Sequence, residues 1–353
     1  CIRDRKIGID TALIAFGAGG FSEQQVAQTN ALIATGKNIH AYCRTGNRSQ
    51  MIWAACQQNL STIGSGSDQP NNVATEPNTS SQPNDTAQIK RRYDVVVVGG
   101  GSGGIASAAS ILKRRPNSRI AIIEPKDTHD YQPGWTMVGG GVFDVRQTRR
   151  PLTQVLPNSV DWIRLSVTAF QPEDNAVVLD SGEMICYQQL VISAGIKLNW
   201  SAIEGLEETL GKNGVTSNYL YELAPYTWEL VQNFKRGKAI FTQPPIPIKC
   251  AGAPQKALYL SASHWLKTGV INDINIDFYN AGGVLFGVPD YVPALQSYID
   301  KYNAKTHFLH KLVKIDGASK TAWFETNNEQ GEVVTLSTQF DMIHVCPPQC
   351  APD

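Results

Sequence analysis

Tyr93-Asp94-Val95-Val96-Val97-Val98 places β-branched residues at successive positions, without the alternation of a half-exposed strand. Such a run suits a parallel strand buried on both faces. A glycine cluster, Gly99 to Gly104, follows it and gives way to an Ala-rich helical stretch reaching Lys113. Arg119 to Ile123 then reads as a second strand ending at Glu124, which completes a βαβ unit. Val160 to Leu179 and Met184 to Ile192 read as further strands, with turns at Pro172-Glu173-Asp174-Asn175 and Asp180-Ser181-Gly182. A second α/β set follows: strand Ala239 to Thr242, helix Pro254 to Lys267, strand Ile274 to Tyr279, helix Val292 to Tyr302, and a strand near His307. Upstream, Ser22 caps a helix pattern running to Thr35, Ile39 to Tyr42 reads as a strand, and Gln50 to Leu60 is helical again. Between the two parts, Ile63 to about Gln88 is rich in Ser, Gly, Pro, Asn and Thr and nearly free of large apolar side chains. Such a segment cannot bury enough surface to offset its ordering entropy, so it is expected to be a disordered linker. The patterning therefore divides the chain into 1–62, a linker at 63–91, and two further parts at 92–237 and 238–353.

Composition narrows the class. The 353 residues are 42% hydrophobic, enough for a sizeable core, and 31 Lys+Arg balance 31 Asp+Glu. A net charge of zero gives no electrostatic footprint for nucleic acid. Seven Cys is too few for a disulfide scaffold and is an odd number, which points to a reducing compartment with thiols kept for chemistry. No apolar run is long enough to span a bilayer. Cys1 at the start and Pro347-Pro348-Gln349-Cys350-Ala351-Pro352-Asp353 at the end read as cut positions, so the chain is expected to be a fragment.

Gly99, Gly101 and Gly104 satisfy G-x-G-x-x-G between a buried strand and a helix, the context that fingerprint requires. The first glycine allows the tight turn, the second lets backbone approach a pyrophosphate, and the third lets helix pack on strand. The turn, with Ser102 and Gly103, opens the helix whose N-terminus stabilises diphosphate charge. Glu124, 20 residues past Gly104 and followed by Pro125, is expected on the ribose hydroxyls. The strand Leu190 to Ser193 ends in Ala194-Gly195, a landmark of two-dinucleotide flavoproteins, so the dinucleotide is expected to be FAD. The corresponding strand of the second set leads into Gln243-Pro244-Pro245-Ile246-Pro247-Ile248-Lys249-Cys250-Ala251-Gly252 instead. Three prolines remove backbone donors that a diphosphate cradle needs, so the second site reads as degenerate and NAD(P) is not the expected acceptor. Metal ligation is not expected. The spacing of Cys346 and Cys350 spans Pro347-Pro348, against a helical pair.

Pro247 to Lys256, with Cys250-Ala251-Gly252-Ala253-Pro254-Gln255 at its centre, resembles the active-site cysteine segment of the sulfide:quinone oxidoreductases. Tyr131-Gln132-Pro133-Gly134-Trp135-Thr136 followed by Val138-Gly139-Gly140-Gly141 resembles that family too, as does His344-Val345-Cys346-Pro347-Pro348. The resemblance covers roughly 92–353. It implies FAD, with Gln132 among the cofactor residues, sulfide oxidation on a redox cysteine pair including Cys250, and electron delivery to a membrane quinone. The family's second redox cysteine is expected beyond Asp353, so Cys346 and Cys350 are left out of the assignment. Cys250 sits in a polar, proline-rich loop beside Lys249, and a nearby cation favours a thiolate. Cys186 falls inside a strand and reads as core, and Tyr131 and Trp135 as packing aromatics.

Cys43 follows a strand and precedes a helix, with Gly46 and Arg48 in the turn. A loop wrapped on a helix N-terminus gathers N–H groups that favour a thiolate and hold an anion or a persulfide. The C-x-x-x-x-R spacing is one residue shorter than that of protein tyrosine phosphatases, and resembles rhodanese-type sulfurtransferases. The string Ala41 to Ser49 also resembles a small phosphatase-like family linked to sulfur metabolism, with Asp10 as a candidate acid. Either activity remains open for this part.

The expected fold class is α/β: a tandem Rossmann-like FAD/NAD(P)-binding flavoprotein fold, truncated at its C-terminus and preceded by a partial phosphatase- or rhodanese-like α/β domain. The resemblance implies sulfide, quinone and a sulfane-sulfur acceptor as partners, and cytoplasmic placement with peripheral inner-membrane contact through a C-terminal segment of the full-length form. An NAD(P)H-dependent flavin reductase fused to a phosphatase, and a redox-sensing binding module, are the alternatives.

Overall fold

The computed structural model describes residues 91–352, which divide into two units. The part at 1–62, with Cys43 and Arg48, and the linker up to residue 90 lie outside the described residues.

The first unit comprises 91–127 and 151–195 among the described residues. It opens with β1 (Arg91–Val98), α1 (Ser102–Arg114) and β2 (Ile120–Ile123). The chain then leaves for a segment that belongs to the second unit: β3 (Thr128–Asp130), helix α2 (Pro133–Gly139) and the start of β4 (Arg149–Pro151). It returns as β5 (Val160–Ile163), β6 (Val167–Gln171), β7 (Ala176–Leu179) and β8 (Met184–Ile192). The six-stranded sheet has the order β5-β2-β1-β8-β7-β6, with β5, β2, β1 and β8 parallel and β7 and β6 added antiparallel. The unalternating valine run now has its reason. Val95 and Val97 pack under Ala108, Ile111 and Leu112 of α1, whereas Val96 and Val98 face the opposite core with Ala121, Ile123 and Tyr187. Both faces of β1 are covered, so neither tolerates polar side chains. The turn expected at Pro172 to Asn175 forms, with Asn175 left-handed at φ 50°. Cys186 is buried in β8.

The second unit comprises 128–150 and 196–352. After β9 (Lys197–Leu198), a short helix α3 (Leu206–Thr209) and β10 (Val215–Thr216), helix α4 (Ala224–Asn233) leads to β11 (Gly237–Gln243). Then come α5 (Ala253–Lys267), β12 (Ile274–Asn280), α6 (Val292–Lys301) and β13 (Lys305–Phe308). An antiparallel sheet of β14 (Lys311–Asp316), β15 (Thr321–Asn327) and β16 (Val333–Gln339) precedes β17 (Met342–His344) and β18 (Gln349–Cys350). The central parallel sheet has the order β10-β17-β11-β12-β13, so β17 comes back to lie between β10 and β11. Trp265 of α5 is fully buried against Phe241 and Phe278, and its Nε1 donates to the Val231 carbonyl at 2.9 Å. Burying a ring of that size is worth several kcal/mol, and it pins α5 to β11. Among the described residues no helix is long and apolar enough to cross a membrane.

Candidate active site

In the first unit β1 ends in the glycine turn, and the geometry there separates the roles of its residues. Gly99 has φ +103°, and a Cβ on it would stand 2.3 Å from the Ser193 carbonyl oxygen at the end of β8. A Cβ on Gly104 would stand 1.9 Å from the Gly99 carbonyl oxygen, so α1 can approach β1 only with glycine there. Gly101 is different: a Cβ there would meet nothing within 4 Å. Nothing described of the protein crowds that position. A dinucleotide diphosphate lying against the turn supplies the missing reason for glycine, so the residues fit the group. Ser102 and Gly103 form the first turn of α1, with Gly101 as N-cap, where N–H groups lack intrahelical partners and favour an anion. Ser193 N–H donates to the Val98 carbonyl at 2.7 Å, which sets Ala194 beside Gly99, and Gly195 follows with φ +80° and open space where a Cβ would stand. Glu124, at the end of β2, accepts hydrogen bonds from Gly100 N–H and Lys126 N–H, both at 2.9 Å. Its carboxylate thereby shapes the cradle, and the exposed Pro125 follows it. Gln132 lies in the second unit as the N-cap of α2. In that helix Trp135 is buried against Tyr221 and Ala224, whereas Tyr131 is exposed.

The thiol site lies wholly in the second unit. β11 stops at Gln243, the proline loop follows, and α5 begins at Ala253. Cys250 is exposed and left-handed at φ 60°, and its carbonyl accepts from Ala253 N–H at 2.9 Å. The thiol therefore stands at the N-terminal end of a 15-residue helix, where partial positive charge gathers. Lys256, one turn into that helix, brings Nζ to 3.9 Å from Cys250 Sγ. The sequence points to Lys249 as the neighbouring cation. Burial instead pushes the Lys249 ammonium below its ordinary range, with Cys250 opposing that shift. Lys256 carries no signal in the linear sequence beyond its helical offset from Cys250.

Tyr219 and Gln349, which sequence reasoning missed, hold the peptide before Cys250. Tyr219 Oη donates to the Lys249 carbonyl at 3.2 Å, and Lys249 N–H donates to Gln349 Oε1. Nearby, Cys346 is buried beside Tyr219, and burial pushes its thiol well above the ordinary range. Cys350 is exposed, with Sγ 3.8 Å from the Lys197 carbonyl. His344 is fully buried and accepts from Asn218 N–H through Nε2 at 3.0 Å, and burial pushes its pKa down to about 4. Among the described residues no group of three or more His, Cys, Asp or Glu side chains is placed to hold a metal ion.

A parallel sheet with a glycine cradle, and a second α/β unit presenting a thiol at its strand–helix turn, are the parts of a Rossmann-like FAD-binding flavoprotein fold. Residues 93–227 match the family model described as pyridine nucleotide-disulphide oxidoreductase. The chain is similar in sequence to sulfide:quinone oxidoreductases. It is 40% identical over 281 residues to the mitochondrial sulfide:quinone oxidoreductase of Dictyostelium discoideum, covering 79% of this chain and 61% of that protein. It is 39% identical over 264 residues to the mouse mitochondrial enzyme of the same name, covering 75% of this chain and 58% of that protein. The chain thus spans about three fifths of the length of these curated relatives. The sulfide:quinone oxidoreductase structure from Aquifex aeolicus shares the fold, with TM-score 0.59 at 23% identity over 72% of this chain and 58% of that one.

Proposed function

We propose that the protein oxidises sulfide on Cys250 and passes the electron pair through FAD to a quinone. The observation that supports this most is a substitution of one site by another. Where a second dinucleotide would meet a glycine turn, the chain sets a proline-rich loop ending in an exposed thiol, with Lys256 3.9 Å away. A hydride donor such as NAD(P)H finds few backbone donors at Pro244, Pro245 and Pro247, whereas an anionic hydrosulfide finds a cation and a helix N-terminus.

In the proposed chemistry Cys250 begins in a disulfide with a partner cysteine. Hydrosulfide attacks the Cys250 sulfur, the S–S bond breaks, Cys250 becomes a persulfide, and the electron pair leaves with the partner thiolate. Lys256 stabilises negative charge on the Cys250 sulfur. Bound FAD supplies a two-electron acceptor that a quinone can reoxidise. The N–H groups of Gly99 to Gly104 and the α1 N-terminus would hold its diphosphate, Glu124 and Pro125 would serve its ribose, and Ala194 and Gly195 would complete the cofactor residues of this unit. Glu124 is already shared between two backbone donors. A ribose hydroxyl therefore binds to its remaining lone pairs rather than displacing the loop. Quinone access at a membrane surface belongs to the same reading, and the relatives' names place them in mitochondria. Transfer of sulfane sulfur to Cys43, with Arg48 as its companion in the loop motif, extends the proposal to the N-terminal part; the C-x-x-x-x-R spacing supports it.

The test is sulfide-dependent quinone reduction by the full-length protein, with peptide mass spectrometry of the thiols. The native protein should turn over and carry a persulfide on Cys250, and Cys250→Ser should remove both. Turnover surviving in Cys250→Ser would refute the assignment.

A further inference from the structure

The backbone of Lys249 is held at both of its polar groups, one in the peptide before it and one in the peptide after it. Its carbonyl accepts from Tyr219 Oη at 3.2 Å, and its N–H donates to Gln349 Oε1. These partners stand 30 and 100 residues away in sequence. Neither is a passing surface contact. Gln349 is only 9% exposed, and its backbone is fixed by the antiparallel pairing of Gln349 with Leu198 between β18 and β9. Its Nε2 is also buried, with no hydrogen-bond partner among the described residues. Burial pushes the Tyr219 hydroxyl far above its ordinary range, with Cys346 and Cys250 adding in the same direction. It therefore stays protonated and remains a donor at neutral pH.

What the two hydrogen bonds hold is an uncommon conformation. Cys250 is a non-glycine residue at φ 60°, a region an L-residue occupies only when its surroundings fix it. In that conformation its sulfur meets Lys256 at the end of α5. If φ relaxed to the common negative range, the Cα–Cβ bond would swing relative to the held backbone, and the sulfur would leave the ammonium.

We propose that Gln349 and Tyr219 are positioning residues that fix Cys250 as the reactive thiol by clamping the backbone of Lys249 on both sides. The inference rests on the reading of Cys250 as the reacting sulfur, but its test does not require sulfide chemistry. The full-length protein is first reduced and the reductant removed, so that Cys250 is a free thiol, and its iodoacetamide alkylation is then followed at neutral pH by peptide mass spectrometry, with free glutathione in the same reaction as reference. Gln349→Met keeps length and loses the acceptor, Tyr219→Phe loses only a hydroxyl, and Gln349→Glu restores an oxygen acceptor. A buried hydrogen bond of ordinary strength corresponds to about fivefold in an equilibrium. Gln349→Met and Tyr219→Phe should each slow Cys250 alkylation by about that factor or more, and Gln349→Glu should recover to within about twofold of the native rate. If Gln349→Met fails to fold, Tyr219→Phe carries the comparison. Unchanged or faster alkylation in Tyr219→Phe would overturn the proposal, as would a Glu variant as slow as the Met variant, since a merely structural role would not be rescued by an acceptor. A protein that showed no sulfide-dependent quinone reduction would leave this alkylation result standing.

Discussion

His344 should make the second unit lose stability as the pH falls below neutral. The side chain is fully buried, its Nε2 accepts from Asn218 N–H at 3.0 Å, and its pKa is pushed down to about 4. Protonation would turn the acceptor into a donor facing another donor, and would place a charge in the core beside Phe241. An unfolded histidine titrates near 6.5. Between those values the unfolded chain binds more protons than the folded one, so stability is full above the upper value and declines as pH falls toward about 4. The whole window is worth about 3 kcal/mol, of which roughly 2 kcal/mol is lost between about pH 7 and about pH 5. The assay is urea unfolding at both pH values for the native protein and for His344→Gln, which keeps a neutral acceptor. The variant starts less stable but should lack this part of the acid loss. The difference between the two pH-dependent losses isolates His344, because the other titrating groups are common to both. Equal losses in the two proteins, within about 0.5 kcal/mol, would refute the reasoning.

The glycine turn provides a paired test. Gly104→Ala forces a Cβ to 1.9 Å from the Gly99 carbonyl and should destabilise the first unit together with FAD retention, whereas Gly101→Ala, which meets nothing within 4 Å, should leave apoprotein stability within about 0.5 kcal/mol and weaken FAD affinity about tenfold or more. Equal FAD affinity in Gly101→Ala and the native protein, measured by fluorescence titration, would remove the argument for a diphosphate at that glycine. Trp265→Ala should cost about 3–5 kcal/mol in urea unfolding, because a fully buried ring and its hydrogen bond to Val231 are lost together. Treatment with polysulfide should add about 32 Da, one sulfur atom, to Cys43; efficient hydrolysis of an aryl phosphate without sulfur loading would make that part a phosphatase instead.

The parts of the fold that could be read from the sequence are those whose signal is local. The β1–α1–β2 unit needs only a valine run covered on both faces, a glycine turn and an Ala-rich helix, all within 34 residues of chain from Arg91 to Glu124. Helix α5 and strands β11 and β12 were legible for the same reason. Helix α2 was not, since Pro133–Gly139 is short and has glycine near both ends. Its helicity is supplied by tertiary packing of Trp135 against Ala224 and Tyr221. The sheet order of the second unit was also hidden. β17 is three residues long and enters between β10 and β11 after an antiparallel excursion, and no local pattern announces that position. The thiol site divides in the same way. Cys250 was visible through its motif. Lys256, offset by six positions, needed the helix; Tyr219 and Gln349, 30 and 100 residues from Lys249, needed the fold.

In the proposed function electrons enter the flavin from sulfide at Cys250 and not from a second bound dinucleotide. Anaerobic titration of the FAD-loaded full-length protein tests it, with the visible flavin absorbance as readout and sulfide and NADH as separate titrants. The three prolines ahead of Cys250, and the thiol facing Lys256, predict stoichiometric bleaching by sulfide, none by NADH, and loss of the sulfide response in Cys250→Ser. Rapid stoichiometric bleaching by NADH, with no response to sulfide, would contradict it.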